Sequence, residues 1–396
     1  MLRRRLTAMV AAVGATAALS VLPVSAASTT TTTVATSPRW TEDRLLSQLI
    51  MVAANITAPT VALSDVRNGI GGVVFLGQPP ASARNQIVSG LRNLTASAMV
   101  PLFLATDEEG GGVQRLANVA GSLPWPREMA AWWGPATITA KVRSVASAMA
   151  SLGITMDLGP VADTAAASNS IDVENLRSFS ENGSVASRDV RAFLTGLSAG
   201  HLLSVVKHFP GLGHANGNTD TQVASDPPLA ALQNPDLLPF RNAIAAGVPA
   251  IMMSNVVVPD WGGAPASINP AAYAYLRSLG FTGVIVTDSL GAGAITGHGA
   301  SQAGAAVSAI CAGADMAMLN NASLYAPTLA GLRSAVAHGT LSMSRVVSSV
   351  NRLLVAKNRY RSPREQLALV PLTSERSQMG RSPMIEARSM IRRSGQ

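Results

Sequence analysis

Short runs of Val, Ile, Leu and Met recur between residues 40 and 360, separated by longer stretches in which apolar residues return every three or four positions. The short runs predict strands at Leu49–Ala53, Gly72–Leu76, Leu102–Asp107, Thr155–Val161, Ser204–His208, Ala250–Ser254, Val284–Asp288 and Asp315–Leu319. The longer stretches predict helices at Arg84–Ser97, Thr137–Leu152, Val185–Leu202, Pro235–Ala246, Ala271–Leu279 and Ser301–Ala312. Continuous apolar runs suit strands covered on both faces, as in a parallel sheet. Their alternation with helices predicts βαβ units. Eight such units predict one (β/α)8 domain, a TIM barrel, which usually takes roughly 250 residues and more with insertions. An open doubly wound sheet is the competing architecture.

The ends of the chain read differently. Arg3, Arg4 and Arg5 precede an apolar run to about Leu22, and Val24-Ser25-Ala26 offers a cleavage point. Residues 1–26 therefore predict a secretory signal peptide, with an uncleaved membrane anchor as the alternative. No Cys stands near that point to take a lipid. Residues 27–39 are Ser/Thr-rich and predict a linker, while the basic tail 361–396 lacks periodicity and is expected to be disordered or to bind a surface. The expected location is outside the cytoplasm or at the cell envelope.

The formal charge of +8 hints at a polyanion partner. Three of those charges lie in Arg3–Arg5 and a net four in residues 361–396, which leaves the body near +1. Such a body has no electrostatic footprint for nucleic acid. The single cysteine, Cys311, excludes an internal disulfide, and its neighbours in AVSAICAGAD predict that it is buried.

Candidate chemistry lies where the predicted strands end. Asp107, Asp163, the Lys207-His208 pair, Asn255, Asp288 and Asn320 each follow an apolar run. One such residue could simply cap the next helix. Six together predict a polar mouth at the C-terminal face of a barrel, where active sites of this fold sit. Lys207 and His208 are neighbours in a strand, so both can face one ligand only if the strand ends or bulges there; otherwise His208 packs on the outer face. No tight His/Cys spacing predicts a metal, and no GxGxxG or P-loop predicts a nucleotide cofactor. Gly110-Gly111-Gly112 follows a strand, but the acidic Asp107-Glu108-Glu109 before it would repel a phosphate. Carboxylates that accept hydrogen bonds from hydroxyls suit a neutral sugar, and glycoside cleavage needs one carboxylate at the anomeric carbon and a proton donor at the leaving oxygen.

The segments TDEEGGGVQRL (106–116), GPVAD (159–163), LRSFS (176–180), KHFPGLG (207–213) and GFTGVIVTDSLG (280–291) resemble glycoside hydrolase family 3, closest to its single-domain bacterial β-N-acetylglucosaminidase branch. The resemblance implies a (β/α)8 barrel and a retaining, two-step mechanism in cell-wall (peptidoglycan) turnover. It implies Asp288 as nucleophile, with Asp107, Arg115, Arg177, Lys207 and His208 binding the sugar and Asp163 supporting the site. The alternative for Arg115 and Arg177 is that they tie loops to the barrel rim. Lys207 or Arg177 is expected to keep Asp288 ionised. The implied partner is an N-acetylglucosamine-containing glycan or muropeptide, handled by a monomer without cofactor, nucleotide or nucleic acid.

One departure matters. In the resembled branch an Asp-Ser/Thr-His motif follows KHFPG and supplies the acid/base. Here the loop reads KHFPGLGHANGNTDTQ, with Asp220-Thr221 followed by Gln222. Glutamine cannot give and recover a proton at neutral pH. Three readings stay open: His214 acts, with Asp220 orienting its ring; Asp220 is itself the acid; or the protein is a weakened enzyme or a glycan-binding relative. A β-glucosidase-like preference is a further alternative. The family usually has Arg at the place of Gly112, and often His in the segment of Ser254-Asn255, so the polar contacts of the pocket are thinner here.

Overall fold

Eight parallel strands carry the frame. In the computed structural model, which describes residues 40–165, 174–234 and 236–360, these are β1 (Ile50–Asn55), β2 (Gly72–Leu76), β3 (Phe103–Thr106), β6 (Met156–Asp157), β7 (Leu203–Phe209), β8 (Ala250–Met253), β9 (Val284–Thr287) and β10 (Ala317–Leu319). They neighbour one another in the order β10-β1-β2-β3-β6-β7-β8-β9. A parallel bridge between Val286 and Met316 joins the two ends, so the sheet closes into a (β/α)8 barrel. The small hairpin β4 (Glu108–Gly110) and β5 (Val113–Gln114) stands on the end of β3. The predicted signal peptide, linker and tail lie outside the described residues.

The strands are buried nearly throughout, as their unbroken apolar runs require. The surrounding helices show one apolar stripe each. Helix Arg84–Ser97 buries Ile87, Leu91 and Leu94, a three-to-four spacing that faces the barrel. Helix Gly183–Ala199 starts at Asn182, whose side chain accepts hydrogen bonds from the Ser184 and Val185 N–H groups. Helix Pro135–Leu152 stops at Gly153, whose φ of 109° ends the helix in the left-handed region.

Two expectations change. The predicted strand Thr155–Val161 pairs regularly only at Met156–Asp157. Gly159-Pro160 interrupts it, because proline has no N–H for the ladder, and pairing resumes as a bridge between Val161 and Lys207. Cys311 is exposed rather than buried. Its helix, Gln302–Ala312, turns Ala305, Ala306, Ala309 and Ile310 inward, and position 311 falls on the other side. Alanine-rich surroundings do not reveal which face a residue takes.

Candidate active site

Parallel strands deliver their C-terminal ends to one mouth, and there a cavity of about 250 Å³ opens. That is slightly below the roughly 300–1,000 Å³ of typical small-molecule sites. Asp107, Lys207, His208, Asp288 and Asn320, all at strand ends, line it. Arg115 and Arg177 line it from the connecting loops, as do Asn218, Thr219 and Asp220.

The centre of one wall is a buried ion network. Lys207 Nζ lies 2.7 Å from Asp107 Oδ1 and 2.6 Å from Glu109 Oε1. Arg177 grips Glu109 with Nε at 2.8 Å and a second guanidinium nitrogen at 2.9 Å. Burial alone would raise the Glu109 carboxyl, but Arg177 and Lys207 hold it well below the usual carboxylate range. Burial alone would lower Lys207, but Asp107 and Glu109 override it and hold the ammonium protonated. Asp107 and Glu109 stand two residues apart, so they share a face, while Glu108 turns away. The Glu108 backbone N–H donates to Asp157 Oδ1 at 3.0 Å, and Glu108 Oε2 accepts from the Leu116 N–H at 2.8 Å, which fastens the hairpin to the barrel. Arg115 reaches the same wall with Nε 3.9 Å from Asp107 Oδ2.

Lys207 and His208 both reach the cavity. The register of β7 against β8 shifts between Val206 and Phe209. Strict alternation is therefore interrupted where the two side chains meet the site. His208 Nδ1 lies 2.6 Å from Asp163 Oδ2, and Asp163 Oδ1 accepts from the backbone N–H groups of His208 and Leu212. Asp163 thus stands behind His208 and holds the chain leaving β7. Burial pushes the imidazole pKa down, Asp163 pushes it up, and the net direction is up.

Asp288 follows β9 directly. Its N–H donates to the Met253 carbonyl, and its Oδ1 accepts the Ser289 N–H at 2.7 Å. Burial is the largest influence on its carboxyl and raises the pKa. His208 and Lys207 pull it down, Asp220 pushes it up, and the net direction is up. Arg177, expected beside Asp288, pairs with Glu109. Asn255 is buried and lies outside the cavity lining; it donates to the Ser289 carbonyl at 2.8 Å and accepts from Ser267 at 2.6 Å. Asn320 accepts from the Ser289 hydroxyl at 2.6 Å. Two of the predicted polar strand ends therefore steady the residue next to Asp288.

The loop after β7 separates its candidates. Asp220 lines the cavity with Asp288, whereas His214 and Gln222 do not. His214 pairs with Asp236, not with Asp220: its Nδ1 lies 2.9 Å from Asp236 Oδ1, which also accepts the Thr164 hydroxyl at 2.8 Å. At the hairpin turn, a Cβ on Gly112 would lie 2.8 Å from the Trp125 ring, so the indole crowds any side chain placed there. Glu109 was not among the expected binding residues. Its signal was present in the period-two spacing from Asp107 across a strand end.

The sequence model of the glycosyl hydrolase family 3 N-terminal domain matches residues 41–356. The chain belongs to glycoside hydrolase family 3. The β-hexosaminidase LpqI of Mycobacterium tuberculosis is 30% identical over 325 residues, covering 79% of this chain and 81% of the relative. A solved family 3 glycosyl hydrolase from Mycobacterium smegmatis superposes with a TM-score of 0.74 at 32% identity, covering 79% of this chain and 96% of the other. The β-N-acetylhexosaminidase of Beutenbergia cavernae gives 0.73 at 28%, covering 80% and 98%. This family 3 member is a glycosidase of the β-N-acetylhexosaminidase-like kind.

Proposed function

We propose that the protein acts outside the cytoplasm and releases terminal β-linked N-acetylglucosamine from cell-wall-derived glycans with retention of configuration. The observation that carries this reading is that Asp288 and Asp220 line one small cavity together with the Lys207–Asp107–Glu109–Arg177 network. Asp107 and Lys207 hold the hydroxyls of the terminal sugar. Ionised Asp288 attacks C1 and forms a glycosyl ester, while Asp220 gives its proton to the departing oxygen. Asp220 then takes a proton from water, which cleaves the ester and frees Asp288. The names of the relatives support the sugar, and the basic, apolar start of the chain supports export.

The test is release of nitrophenol from an aryl β-N-acetylglucosaminide by wild type and by Asp288→Ala, which should lose at least about 10⁴-fold. Unchanged activity in Asp288→Ala would sink the assignment. Gln222, at the position expected for the family histidine, favours a second reading in which the protein binds glycans without turnover. Hydrolysis of an unactivated β-linked N-acetylglucosamine disaccharide by wild type rules that reading out.

A further inference from the structure

The segment that leaves the nucleophile returns to the loop that carries Asp220. After Asp288, the chain turns through Ser289–Ala292 and presents the backbone N–H groups of Gly293 and Ala294 to that loop. Gly293 donates to the Asp220 carbonyl at 2.8 Å, and Ala294 donates to the Thr219 carbonyl at 2.9 Å. The approach is closer than any side chain allows. A Cβ on Gly293 would lie 2.3 Å from the Thr221 carbonyl carbon, 2.5 Å from its oxygen and 2.8 Å from the Gln222 nitrogen. All three are backbone atoms, so none can swing aside as a side chain end does. The loop itself is folded around Asn218, whose side-chain oxygen accepts the Asp220 N–H at 2.9 Å and whose carbonyl accepts from Thr221 and Gln222.

From these contacts we infer that Gly293 is a positioning residue for the proton donor: by lacking a side chain it lets the nucleophile's own loop fix the main chain of Asp220. The relative placement of the two carboxylates is then set by two main-chain hydrogen bonds. A displacement of about 1 Å in a catalytic group costs on the order of 10²-fold in rate, so the missing methyl matters for the reaction and not only for the fold.

This inference rests on Asp220 as the acid, and the test separates the two. The measurement is kcat/KM on a series of aryl β-N-acetylglucosaminides whose leaving groups range from good to poor, with an unactivated disaccharide at the end. A lost acid hurts poor leaving groups most, because good ones need little protonation. Asp220→Asn should lose about 10²–10⁴-fold on the disaccharide and little on the best leaving group. If Asp220→Asn shows no such slope, the assignment of the acid is wrong. Given that slope, Gly293→Ala should show it too, with roughly 10–10²-fold loss on the disaccharide. The double variant should then be no worse than Asp220→Asn alone. A Gly293→Ala enzyme that matches wild type, or that loses equally on every leaving group, overturns the positioning role. Asn218→Ala opens the same turn without adding volume and guards against a folding defect. It should steepen the slope in the same sense, and a uniform loss there also counts against the inference.

Discussion

The two halves of the cavity are built by opposite means. Around Lys207, buried charges are matched one against another: Asp107 and Glu109 on the ammonium, Arg177 on Glu109, Asp163 on His208. Around Asp220, the chain is exposed from Asp220 to Val223 and is held by main-chain hydrogen bonds and the side chains of Asn216 and Asn218. Side chains in the first half have little freedom to move, since any displacement leaves a buried charge unmatched. In the second half, position depends on glycine-permitted closeness. In the proposed reaction, sugar recognition is preorganised by electrostatics and proton transfer by backbone shape.

The contrast can be broken most severely at Lys207. Lys207→Met leaves Asp107 and Glu109 facing each other without their shared cation, and loss of one partner from a buried pair costs about 3–5 kcal/mol. Thermal melting should fall by many degrees, and residual activity should show a raised KM. An unshifted melting point would mean that the network contributes nothing to the fold. Next in size is the pH response of the hairpin that carries Glu109. Burial and Asp157 raise Glu108 to about 8, against ordinary hydrogen bonds that lower it. A carboxyl raised in the fold contributes stability that is full below its ordinary value of 4.5 and is lost as pH climbs through about 8. Glu108→Gln should therefore gain melting temperature relative to wild type at pH 8 compared with pH 5, as followed by circular dichroism.

Smaller effects sharpen the comparison. Burial holds the Asp288 carboxyl above its ordinary range, so the acid limb of kcat/KM should lie at higher pH than a free aspartate predicts. A limb at or below the ordinary aspartate value would remove Asp288 as the group it reports. The least effect is expected from Gln222→His. Gln222 does not line the cavity, and the variant should stay within about twofold of wild type on the disaccharide. A large gain would mean that the loop closes differently around substrate. His214→Ala should likewise spare the leaving-group slope, since its ring is tied to Asp236 outside the cavity.

Much of this design was legible in the chain. The apolar runs located all eight barrel strands, and the bounds of β2 and of helix Arg84–Ser97 agree residue for residue. Strand-end polarity found Asp107, Lys207, His208 and Asp288, because barrel topology sends strand ends to one place. What was not legible is tertiary. The pairing of His214 with Asp236 spans 22 residues and joins a loop to the start of a helix. The helix Met343–Asn358, with Val346, Val350, Leu353 and Leu354 buried, by contrast carries a periodic stripe of the same kind as the predicted helices. The role of Glu109 emerges only when Arg177 arrives from a distant loop. The expectation that Asp220 orients His214 failed to foresee Asp236, whose nearness no spacing rule conveys.

The indole of Trp125 against Gly111 and Gly112 also ties three positions into one unit. A side chain placed at position 112 meets a ring already seated there, and a smaller residue at 125 leaves the glycine turn uncovered. Substitutions at the glycines and at 125 are therefore coupled, as residues in contact are, and their effects on stability should not add.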